Sequence, residues 1–142
     1  SAPGSALVPP LVPAALSRDY VTSTLQGVFR PDPVPENYLT RAGVMMAIRA
    51  LTLRANNRQV AGLRPHVIEM SRDYPKLTLP IEILHGTADK TVYAEIHAGP
   101  LADLAGDAEV TLLDGVGHMP HHSVPDQVVA GIDRLAARAG LR

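Results

Sequence analysis

Ile81-Glu82-Ile83-Leu84-His85-Gly86-Thr87-Ala88-Asp89 is the stretch on which the fold turns. From Leu79 to Leu84 it is a short run with branched residues that stops at His85-Gly86, the pattern of a buried strand feeding a loop. A second run, Glu109-Val110-Thr111-Leu112-Leu113, stops in the same way at Asp114-Gly115 and is followed by Val116-Gly117-His118. Between the two runs there is room for a helix of about ten residues ending near Gly106. Strand, helix and strand at this spacing predict a parallel pair with a right-handed crossover.

Downstream, Pro125 to Arg138 reads as an amphipathic helix. Proline suits a first helical turn, Asp126 sits at the positive end of the dipole, and Arg134 and Arg138 lie near the negative end. Its expected buried stripe is Val128, Val129, Ile132, Leu135 and Ala136, with Gly140 placed to stop it.

Upstream, residues 1 to 35 are rich in proline, with Pro31, Pro33 and Pro35 spaced two apart. Each proline removes a donor and restricts its neighbour, which predicts irregular chain with one short helix near residues 14 to 26. From Glu36 to Tyr74 apolar residues fall at helical spacing, first Leu39, Val44, Ile48 and Leu51, then Val60, Leu63, Val67 and Met70. Two or three helices follow, with an interruption expected at Pro65, and the Met45-Met46 pair reads as core filler.

Only two strands can be found, yet parallel strands are normally buried on both faces in larger sheets. The expectation is therefore an α/β fold whose sheet is completed by another chain. Residues 1–75 would be a helical, proline-rich region and residues 76–142 the part that carries the strands.

Composition narrows the function. Thirteen basic residues against fourteen acidic ones give a net charge of −1 with no basic stripe, which argues against nucleic acid as a partner. With 46% hydrophobic and 19% charged residues the chain is globular in composition. The absence of cysteine excludes disulfides, thiolate metal sites and a cysteine nucleophile. The apolar run from Ala6 to Leu16 lacks a basic leader and carries Pro9, Pro10 and Pro13, so neither a signal peptide nor a membrane span is expected, and the cytoplasm is favoured.

Asp89 and His118 stand in loops just after the two strands, at the carboxyl ends where open parallel sheets place their ligand sites. A carboxylate and an imidazole so placed suit an oriented general base. Asp89 could instead be only a turn residue capping local amides, but His118 at the matching place one strand later favours the catalytic reading. Val92, shortly after the acid, and Met119, next to the base, are candidates for lining a substrate pocket. His85 reads as lining the sheet edge or supporting the Asp89 loop, not as catalytic, while His66 and His97 read as surface or cap residues on helices. His118, His121 and His122 invite a metal reading, but Pro120 breaks the helical face that His-x-x-His would need, and no metal is expected.

His85-Gly-Thr-Ala-Asp89 after a short strand, then helix, strand, Gly115-Val-Gly-His118 and a final amphipathic helix resembles the C-terminal part of an α/β-hydrolase. The resemblance covers residues 76 to 142, and the preceding region is similar in placement to that fold's cap. It implies a triad in chain order Ser, Asp, His, with the serine on a Gly-x-Ser-x-Gly elbow. Asp89 would be the triad acid and His118 the base, and no cofactor would be needed. Serines 1, 5, 17, 23, 71 and 123 are nowhere flanked by glycines two residues away on both sides, and no Gly-x-Asp-x-Gly occurs. The resemblance therefore implies that nucleophile and oxyanion donors lie on an N-terminal chain of the same precursor. Cleavage before Ser1, by an N-to-O acyl shift or by another protease, would generate such a chain. The expected activity is that of a serine carboxylic ester hydrolase on a small ester. Epoxide hydrolase, dehalogenase, lactonase, amidase and a non-catalytic binding module remain as alternatives.

Overall fold

The computed structural model describes residues 17–142. Ser1, the proline-broken run from Ala6 to Leu16 and the expected start of the first helix lie outside the described residues. Helix α1 (Arg18–Phe29) begins at Ser17, whose Oγ accepts the Tyr20 amide at 3.1 Å, a side-chain N-cap. It ends where Pro31 removes the next donor.

Two units divide the chain: among the described residues, 17–25 with 34–68, and 26–33 with 69–142. The first contains most of α1, the short helices α2 (Tyr38–Arg41) and α3 (Val44–Ala47), and most of α4 (Ala50–Ser71). Contrary to expectation α4 is not interrupted at Pro65. Pro65 and Ala61, whose carbonyl loses its partner, are both exposed, so water can solvate the freed group. The Met45-Met46 pair is likewise not core: Met46 is 59% exposed, and Val60, Leu63, Val67 and Met70 are exposed along α4.

The second unit is built on two strands, β1 (Ile81–Gly86) and β2 (Ala108–Leu113), paired in parallel from Ile81↔Ala108 to Gly86↔Leu113. They are joined by α5 (Ala94–Leu104), which packs on both and buries Ala98. After β2 come the short helix α6 (Pro120–Ser123) and then α7 (Pro125–Arg138), which packs on β1. Phe29, Ala98, Ala105, Leu113 and Val116 are the buried apolar side chains of this unit. Mixed α/β architecture with a small parallel sheet is thus the observed fold.

Side chains alternate along β1, so Glu82 and Leu84 share one face. Both meet α7: Leu84 lies against Gly131, and Glu82 is paired with Arg134 and Arg138. This corrects the expected stripe in part, since Val128, Leu135 and Ala136 are half-buried. Gly131 is the buried residue of α7, whereas Val129 and Ile132 are 54% and 56% exposed, because the face carrying Gly131, Arg134 and Arg138 is the one turned to the strand. Gly140, at φ 70°, ends the helix. Its amide bonds the Ala137 carbonyl while that of Leu141 bonds Ala136, the paired bonds of a Schellman cap.

Candidate active site

The loops that leave β1 and β2 are stitched together by two backbone bonds and one to a threonine hydroxyl. The Thr87 amide donates to the Leu113 carbonyl at 3.0 Å and the Ala88 amide to Val116 at 2.9 Å. From the other side, the Gly115 amide donates to Thr87 Oγ1 at 2.8 Å. This proximity explains the glycine at 86: a Cβ there would stand 2.2 Å from the Val116 carbonyl oxygen, so only glycine lets the loops approach.

Asp89, at the end of the first loop, is 6% exposed. Its Oδ1 accepts the backbone amides of Thr91 at 2.8 Å and Val92 at 2.9 Å, and its Oδ2 accepts Nδ1 of His118 at 2.8 Å. Burial by itself pushes a carboxyl up, but the Val92 amide, the His118 imidazole and the Thr91 amide together outweigh it and hold Asp89 below the usual aspartate range. The charge is thus kept by hydrogen bonds to the ionised form.

His118, in the second loop, has a side chain 31% exposed. A bond from Nδ1 to a carboxylate puts the proton on Nδ1, which leaves the lone pair of Nε2 as the basic position. His85 supports the arrangement from β1: its Nε2 donates to the Val92 carbonyl at 3.0 Å and lies 3.5 Å from Asp89 Oδ2. It closes the turn whose amides hold the acid.

A cavity of about 270 Å³ opens here, lined by Leu84, His85, Gly86, Asp89, Val92, Gly117, His118 and Pro120. Of the two residues expected in a pocket wall, Val92 is in the lining and Met119 is not; its neighbour Pro120 takes the place. None of the lining residues is a serine, threonine or cysteine. His121 and His122 are exposed on α6, with ring centroids 4.4 Å apart. Among the described residues no three His, Cys, Asp or Glu side chains are grouped to hold a metal ion.

Two contributors were not legible in the sequence. The Thr91 and Val92 amides are backbone groups, which leave no residue-type signal. Asp32 Oδ2 accepts Ser123 Oγ at 2.7 Å from 91 positions away, inside a stretch that reads only as proline-rich chain. What the assembled groups can do chemically is clear: take up a proton at His118 Nε2 and stabilise the resulting cation through Asp89.

No family model matches the sequence, and no curated protein does. Among solved structures the chain is similar to a candidate lipase of Acinetobacter baumannii AYE, with a TM-score of 0.64 over 89% of this chain at 22% identity. It spans 44% of the length of that protein. At this identity the likeness is one of fold: the chain forms a partial lipase-like α/β architecture.

Proposed function

We propose that Asp89 and His118 are the acid and base of a serine carboxylic ester hydrolase whose nucleophile and oxyanion donors lie on polypeptide outside these 142 residues, an N-terminal chain of the same precursor. The observation that carries the reading is the 2.8 Å bond from His118 Nδ1 to an Asp89 carboxylate already held by two amides. The pair stands at the carboxyl ends of adjacent parallel strands and faces a cavity, and the lipase-like fold is consistent with it.

In this mechanism His118 Nε2 takes the proton from the serine hydroxyl as the oxygen attacks the ester carbonyl. Asp89 stabilises the imidazolium, which then gives the proton to the departing alkoxide. A water molecule, deprotonated by the same nitrogen, attacks the acyl-enzyme and releases the acid. Val92 and Leu84 supply apolar wall for the acyl or alcohol group.

The test uses the gene product together with whatever coding sequence precedes Ser1. A fluorophosphonate probe should label a residue outside this chain, and a short-chain nitrophenyl ester should be hydrolysed. Asp89→Asn should lower kcat about 10⁴-fold, since the amide favours the wrong imidazole tautomer. Ester hydrolysis that survives His118→Ala at the wild-type rate would exclude the proposal.

A further inference from the structure

Residues 29–32 meet the segment that carries His118 at three places. The Phe29 ring, 1% exposed, lies with its centroid 5.5 Å from that of His122. The Arg30 carbonyl is pressed on Gly117, where a Cβ would come within 2.2 Å of its oxygen. Third, Asp32 uses one oxygen, Oδ2, to accept Ser123 Oγ at 2.7 Å and, more loosely, the Gly117 amide at 3.4 Å. Gly117 immediately precedes His118, and Ser123 closes the short helix that follows it. One carboxylate oxygen therefore spans both ends of the segment bearing the base.

Within that segment the chain departs from regular structure. Met119 sits at φ −120°, ψ 57°, away from regular helix or strand, and α6 is four residues long. The Ser123 hydroxyl has a second acceptor within the segment itself, the Met119 carbonyl at 3.3 Å. Without Asp32 it would turn inward to that carbonyl, and the segment would lose both bonds to the Asp32 carboxylate. A base displaced by about 1 Å can lose about a hundredfold in rate.

We infer that Asp32 is a positioning residue for His118, acting through Gly117 and Ser123 and touching no reacting atom. The inference rests on the reading of His118 as the general base. Because both bonds converge on one oxygen, asparagine can keep them and alanine cannot.

The test is kinetics of the complete enzyme on a short-chain ester, paired with proton NMR of the low-field resonance of the His118 Nδ1 proton. Asp32→Ala should lower kcat by about tenfold to a hundredfold with KM within about twofold, and should weaken the low-field resonance. Asp32→Asn should return kcat to within about threefold of wild type. Ser123→Ala should cost less than Asp32→Ala and add nothing to it, because its partner is already gone. An Asp32→Ala enzyme with wild-type kcat and an unchanged resonance overturns the inference, as does an Asp32→Asn enzyme no better than the alanine variant. Losses from Asp32→Ala and Ser123→Ala that simply add do the same. If Asp32→Ala fails to fold, Ser123→Ala and Asp32→Asn carry the same comparison: a weakened resonance in the first with retention in the second supports the inference, and no difference overturns it. A wild-type enzyme inert toward esters would strike the proposed function instead, and the resonance would still decide the role of Asp32.

Discussion

Asp89 keeps its charge in a buried position because both of its oxygens are met by donors, two of them backbone amides. Its carboxyl is held below the ordinary aspartate value, and the sign of the linkage follows. The stabilisation is fully present above the unfolded value, about pH 4, and is lost as pH falls through the lower folded one. Wild type should therefore exceed Asp89→Asn in urea resistance by a constant margin near neutrality, and that margin should shrink below about pH 4, where a protonated carboxyl resembles the amide. A margin that persists unchanged to pH 2 would mean that the ionised form contributes nothing. At this scale Asp89 and His118 are legible in the sequence, since each follows a strand and each has a loop of small residues around it. Asp32 is not, because the contact that gives it meaning is made 85 and 91 positions away.

Between β1 and α7 the decisive group is Glu82, whose side chain is 2% exposed. Burial raises its carboxyl, and Arg134 and Thr111 with Arg138 more than reverse that. Oε2 has no hydrogen-bond donor and is met only by Arg138 Nη1 at 3.6 Å. Arg138 also donates to the Ile81 carbonyl at 3.2 Å and to the Asp107 carbonyl at 3.1 Å, so it ties the starts of both strands to the last helix. Arg138→Ala should lower the unfolding free energy by about 1–3 kcal/mol, because it takes a cation away from the buried Glu82 carboxylate and a side-chain donor from the Ile81 carbonyl. A change within about 0.5 kcal/mol in urea unfolding would place it among ordinary surface substitutions.

The strands, α5 and α7 are legible as elements because period and punctuation agree: Gly86 and Asp114-Gly115 close the strands, and Pro125 and Gly140 bracket the last helix. The inward face of α7 is not. Hydrophobicity favours Val129 and Ile132, but the buried acid on β1 draws Arg134 and Arg138 to the strand instead. Continuity of α4 through Pro65 is hidden for a related reason, since the sequence does not say that the freed carbonyl would face water.

Among the described residues, apolar side chains remain exposed on β2 and α7. Leu112 and Val110 on β2 are 56% and 38% exposed, and Val129 and Ile132 on α7 exceed half. Surfaces of this kind mark association sites, and open strand edges recruit other strands. The 142 residues by themselves should therefore elute above their 15.1 kDa mass or bind a hydrophobic dye, and added N-terminal polypeptide should abolish both effects. A monodisperse monomer at that mass with no dye binding would contradict the need for a partner. Among the described residues no helix is long and apolar enough to cross a membrane.

The backbone stitching between the two strand-end loops has one more consequence. Hydrogen bonds among Thr87, Ala88, Leu113, Gly115 and Val116 tie the loop that carries Asp89 to the loop that carries His118. Under the proposed function, a nucleophile outside this chain would not need to be aligned with acid and base separately. Under that proposal, an error in how an added N-terminal polypeptide seats itself would shift acid and base together, so that the relay within the pair is preserved and only its distance to the attacking atom varies.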